Sequence, residues 1–89
     1  MRQEKFELFF KRKPALILVT LLVDDRTKYG SVLAKKTDCT YSHAVKILKT
    51  LEKLKLIEFE KKGRTKLIKL TPKGKQVAES IKKIKDLLG

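Results

Sequence analysis

Apolar residues fall into blocks of different spacing along the chain, and each spacing predicts an element. From Pro14 to Val23 (PALILVTLLV) nearly every position is apolar. A helix of that kind lies in the middle of a small domain, covered on more than one side. Pro14 stands where a first helical turn tolerates it, and the polar run from Asp24 to Lys28 ends the helix. Gly30 to Lys36 (GSVLAKK) predicts a short helix, with Ser31 as N-cap and Val32 and Leu33 facing inward. Residues 37–40 then break the pattern. A third helix follows over about Tyr41 to Leu54 (YSHAVKILKTLEKL). Thr40 is its candidate N-cap, because a hydroxyl there accepts a hydrogen bond from an otherwise unpaired amide. On a helical wheel Ala44, Ile47, Leu48, Leu51 and Leu54 share an arc of roughly 120°. Tyr41 lies nearer the buried edge. Ser42, Lys46, Lys49 and Lys53 gather on the opposite side, flanked by His43 and Thr50.

Beyond the third helix the period shortens. Leu56 to Lys61 (LIEFEK) alternates, with Ile57 and Phe59 on one side and Glu58 and Glu60 on the other. Lys62-Gly63-Arg64 signals a tight turn. Thr65 to Thr71 predicts the returning strand, with Ile68 and Leu70 inward. A hairpin of two strands is marginal alone and must lean on helices. Thr71 caps a final helix that opens on Pro72. Val77, Ile81, Ile84 and Leu88 recur along it as a narrow stripe, which either packs on the first helix or forms a two-fold interface. Residues 1–12, with Phe6, Leu8, Phe9 and Phe10, fit a short helix or an extended segment that caps the core.

The predicted fold class is therefore mainly α with a small β-hairpin. Three stretches within this order are similar to parts of one family. YSHAVKILKTLEKLKLIE resembles the recognition helix and following strand of MarR-like prokaryotic and archaeal transcriptional regulators. KKGRTKLIKLTPKG resembles their wing, whose second strand ends in Leu-Thr-x-x-Gly, here Leu70, Thr71 and Gly74. GSVLAKK resembles the preceding positioning helix. The resemblance is strongest from Tyr29 to Lys75 and implies a winged helix-turn-helix. One domain over 1–89 would comprise an N-terminal segment (1–12), a helix-turn-helix (30–54), a wing (56–71) and a C-terminal helix (72–88). The chain departs from the family at Lys55, where many relatives carry glycine after the recognition helix. A non-glycine residue there either enters the left-handed region, at about 1–2 kcal/mol, or ends the helix differently. It departs again before Arg64, where relatives often carry aspartate. Little chain remains for the long terminal helices that build the family's ligand cavity, so a small-molecule effector is not expected.

Charge adds a partner to this picture. The chain of 89 residues carries 23 Lys plus Arg against 10 Asp plus Glu, a net charge of +13. Residues 40–75 hold eleven basic and three acidic residues, so +8 of the excess lies in the stretch that would face a duplex. With 42% hydrophobic residues the chain can still build a core. A folded core with such a surface points to a polyanion: DNA, RNA or an anionic membrane. A solubility role is the plain alternative. An α-helix fits the major groove, and its first turns meet base edges.

The resemblance and the charge together imply site residues for double-stranded DNA. Ser42, His43 and Lys46 are candidates for base edges, and Tyr41 for a thymine methyl or a phosphate. Thr40 at the helix N-terminus, with Lys49 and Lys53, is assigned to the backbone. Arg64 would enter or border a neighbouring minor groove, with Lys61, Lys62 and Lys66 clamping phosphates beside it. The expected function is a sequence-specific transcriptional regulator, a cytoplasmic, nucleoid-associated homodimer. The alternative is an architectural or chromatin-type protein with little sequence preference, which a count of 19 Lys to 4 Arg favours, since arginine makes the commonest specific contact to guanine. Protein–protein contact or RNA binding on the same fold would call for a recognition face interrupted by acids or apolar residues.

Other chemistries find little footing. There is no glycine-rich phosphate loop, nucleophile–base pair or suggestive carboxylate pair, so no enzyme is expected. One histidine and one cysteine, Cys39, hold out neither a metal site nor an internal disulfide. No cofactor is expected. The apolar run from Ala15 to Val23 falls short of the about 20 residues that span a bilayer, and no signal peptide is expected. Abundant lysine without asparagine is a composition of thermophilic proteins.

Overall fold

In the computed structural model, which describes residues 12–89, the elements run α1 (Arg12–Val23), a 3-10 turn (Asp25–Lys28), α2 (Gly30–Lys36), α3 (Tyr41–Lys53), β1 (Ile57–Lys62), β2 (Thr65–Leu70) and α4 (Pro72–Leu88). This is the winged-helix order, four helices and one antiparallel hairpin. The expected segment around Phe6, Leu8, Phe9 and Phe10 lies outside the described residues. The polar run after α1 is a capped 3-10 turn, in which the Arg26 amide donates to Asp24 at 3.0 Å.

Apolar side chains from all four helices and both strands meet in one core. Ile17 and Leu18 of α1, Leu33 of α2, Leu48 and Leu51 of α3, Leu56 ahead of β1, Ile57 of β1, Ile68 of β2 and Ala78 of α4 form one buried cluster. Each large side chain buried there contributes about 1.5–3 kcal/mol of transfer free energy. The hairpin leans on this core through Ile57, opposite Leu70, and Phe59, opposite Ile68. Its turn places Gly63 at a φ of 59°, which is what the first central position of a type II′ turn requires.

Both helices of the helix-turn-helix end in the same way. After α2 the Cys39 amide donates to the Ala34 carbonyl at 2.8 Å and Asp38 to Lys35 at 3.2 Å. After α3 the Leu56 amide donates to Leu51 at 3.0 Å and Lys55 to Glu52 at 2.9 Å. These are paired Schellman caps, and each needs a left-handed residue. Asp38 (φ 55°) and Lys55 (φ 62°) fill that position without being glycine. Lys55 thus takes the left-handed option of the two open to it. The Lys13 ammonium adds a clasp from α1, donating to the carbonyls of Thr37 at 2.7 Å and Asp38 at 2.9 Å.

Several local expectations are corrected. α1 is already helical at Arg12, two residues ahead of Pro14. Helix α2 begins one residue before Ser31, which is not its cap. The N-cap is Tyr29, with no side-chain hydrogen bond. Tyr29 is held in extended conformation by a bridge to Leu67 of β2, so the chain turns into helix immediately after it. With that start, Leu33 and Ala34 occupy the inward side and Val32 is left 39% exposed. Tyr41, expected near the buried edge, is 62% exposed. It is the first residue of α3 and lies near the start of α2; a Cβ on Gly30 would lie 3.5 Å from its Cε1.

Candidate nucleic-acid interface

All eleven residues assigned to DNA from the sequence are exposed: Thr40, Tyr41, Ser42, His43, Lys46, Lys49, Lys53, Lys61, Lys62, Arg64 and Lys66. On α3 the separation of sides is the expected one. Ala44, Ile47, Leu48 and Leu51 are buried, while Ser42, His43, Lys46, Lys49 and Lys53 face solvent. Thr40 caps the helix as expected, accepting the His43 amide at 3.2 Å. Its own hydroxyl proton remains available to an outside acceptor.

α3 and the hairpin are brought together along a 240 Å³ cleft. Tyr41, Lys49 and Lys66 line it over a floor that includes Val45, Leu48, Phe59 and Ile68. The Lys66 ammonium lies 5.5 Å from the centre of the Phe59 ring, close enough for a cation–π attraction. Two helix-turn-helix positions and one wing position therefore share a single wall-to-wall surface. Arg64 stands beyond them in the exposed tip.

The wing lysines do not share one face. Strand alternation puts Lys61 and Lys66 on the face shared with Phe59 and Ile68, and Lys62 on the other. Lys62 lies 3.7 Å from the Glu60 carboxylate, and Lys69 lies 2.7 Å from it. Lys69 chiefly, then Lys62, holds the Glu60 carboxyl below its usual range. Neither Glu60 nor Lys69 stands out in the sequence as part of a site. The signal that could have found them is the shared two-residue period of Glu58, Glu60 and Lys62.

A second charged cluster centres on Asp24. Asp24 receives Arg26 at 3.2 Å and Lys36 at 3.1 Å, which ties the 3-10 turn to the end of α2. Hydrogen bonds from Arg26 and then Lys36 lower the Asp24 carboxyl from its ordinary 3.8 to about 2. Among the described residues, no three His, Cys, Asp or Glu side chains converge as metal ligands. No described helix is long and apolar enough to cross a membrane.

Residues 23–82 match the family described as the DUF6293 C-terminal winged helix domain. The chain is similar to an uncharacterised protein of Archaeoglobus fulgidus, at 36% identity over 99% of this chain and 96% of that protein. It is also similar to the crystal structure of AF1382 from Archaeoglobus fulgidus, at 36% identity and a TM-score of 0.81, covering 94% of this chain and 96% of that one. A third likeness is to MepR, a transcription regulator of the Staphylococcus aureus multidrug efflux pump MepA. Identity there is 26% and the TM-score 0.81, over 97% of this chain and 66% of MepR. The fold is that of MarR-like winged-helix proteins, as the sequence resemblance implied.

Proposed function

The chain belongs to the DUF6293 C-terminal winged helix domain family, and from that premise we propose that it is a sequence-specific, double-stranded DNA-binding transcriptional regulator and not an enzyme. The observation that carries the proposal is the outward side of α3. Ser42, His43, Lys46, Lys49 and Lys53 are exposed there, beside an exposed hairpin tip bearing Arg64. MepR, with the same fold, is a transcription regulator and is known in complex with DNA. In this reading α3 enters the major groove, with Ser42, His43 and Lys46 on base edges and Tyr41 on a thymine methyl or phosphate. Thr40, Lys49 and Lys53 meet phosphates, and Arg64 borders a minor groove.

The active species in this reading is a homodimer. The α4 stripe divides: Val77 and Ile81 are half-buried against the core, while Ile84 is 51% exposed and Leu88 84%. Leu87, at 78%, and Val23 of α1, at 59%, extend the uncovered apolar area. A second copy meeting this area would space two recognition helices for a two-fold site.

Selection of bound sites from random duplexes tests the function. A regulator should prefer its site about a thousandfold over random DNA. If about six phosphates are neutralised, log affinity should fall against log salt with a slope near −5. Enrichment of paired half-sites would carry the dimer as well. Recovery of unselected sequences with the same salt slope would favour the architectural alternative, and a slope near zero would end the duplex reading.

A further inference from the structure

The two faces of the hairpin carry their lysines in different electrostatic settings. On the face that continues the core, Lys61 stands directly opposite Lys66 in the antiparallel register. Like charges in that relation repel each other. Lys66 also overlooks the cleft that Lys49 lines from α3, with Glu52 as its one acidic lining residue. Among the described residues no ion pair engages Lys49, Lys61 or Lys66. On the other face Glu60 sits between Lys62 and Lys69, at 3.7 and 2.7 Å.

We infer that the wing grips the nucleic-acid backbone with one face only: Lys61 and Lys66, joined by Lys49, seat a run of phosphates at the mouth of the α3–hairpin cleft, while Glu60 withholds Lys62 and Lys69 from contact. This rests on the duplex-binding reading above. A phosphate oxygen placed between Lys61 and Lys66 removes a repulsion that the free protein carries. A phosphate approaching Lys62 meets the Glu60 carboxylate 3.7 Å from the ammonium, which repels it. Glu60 is thus a positioning residue. It sets which side of the hairpin lies against the duplex, and so the tilt at which Arg64 is presented.

The test is a salt series of equilibrium binding to one mixed-sequence duplex. The proteins are the full chain and the variants K61Q, K66Q, K62Q, K69Q and E60Q, with circular dichroism confirming each fold. K61Q and K66Q are each expected to reduce the slope of log affinity against log salt by about 0.9, the value of one phosphate contact. K62Q and K69Q are expected to leave it unchanged. E60Q is expected to steepen it, and in the E60Q background K62Q should then cost a contact. Equal slope losses for K61Q and K62Q would overturn the inference while leaving duplex binding intact. A wild-type slope near zero would overturn both.

Discussion

The Thr71 hydroxyl lies 2.6 Å from the Lys55 carbonyl oxygen and donates to it, while the Thr71 Oγ1 itself accepts the Gly74 amide at 3.0 Å. One side chain therefore caps the start of α4 and holds the loop that closes α3. The Thr71 amide adds a bond to the Leu56 carbonyl at 3.0 Å. Gly74 allows the approach, since a Cβ there would fall 1.7 Å from the Leu56 oxygen. Replacing Thr71 with valine keeps the shape and removes the cap. The expected loss is about 1–2 kcal/mol, read from urea unfolding. Thr71→Ser, which retains the hydroxyl, should lose much less.

Lys55 holds its left-handed conformation against a cost of about 1–2 kcal/mol, and glycine would forgo that cost but lose about 0.5–1 kcal/mol in unfolded-state entropy. Lys55→Gly should therefore raise stability by roughly 0.5–1 kcal/mol. A denaturation midpoint that rises with an unchanged m-value would show it. A fall would mean that the Lys55 side chain, and not the backbone, dominates at this position.

Acid should loosen the join between the 3-10 turn and α2. The Asp24 carboxyl is held below its ordinary value, at about 2. The unfolded chain therefore binds more protons between about pH 4 and pH 2, and stability falls as pH drops through that window. Above it the contribution is fully present. Thermal melts of Asp24→Asn should show a shallower decline across the same interval than those of the wild type. Identical declines would place the acid sensitivity elsewhere.

The two edges of the exposed α3 side should separate in binding assays. His43→Ala is expected to relax preference at one base position and leave the salt slope near its wild-type value. Lys53→Gln is expected to weaken all sequences alike and reduce the slope by about 0.9. Site selection and salt titration on both variants distinguish the two roles.

Much of this arrangement was legible before any coordinates because it is local. Thr40 and the 3.6-residue spacing of Ala44, Ile47, Leu48 and Leu51 set α3 and its outward side without reference to the rest of the chain. Thr71 and Pro72 did the same for α4. What escaped was set by distant partners. Ser31 is not the cap and Val32 turns outward because α2 starts where the Tyr29–Leu67 bridge releases the chain. That Lys62 faces away from Lys61 and Lys66 follows from strand alternation, but its ion pair with Glu60 belongs to a cluster completed by Lys69 from the other strand. The left-handed turn at Asp38 carries no glycine to announce it, whereas at Lys55 the family comparison leaves that conformation as one of two options.

Both ends of α3 are fastened, by Lys13 on the Thr37 and Asp38 carbonyls of the turn before it and by Thr71 on the Lys55 carbonyl after it. A probe anchored in this way has no slack with which to tilt toward an ill-fitting partner. Any misfit must be absorbed by the double helix, through kinking or widening at its more pliable steps. Targets would then be sorted by their stiffness as much as by their letters.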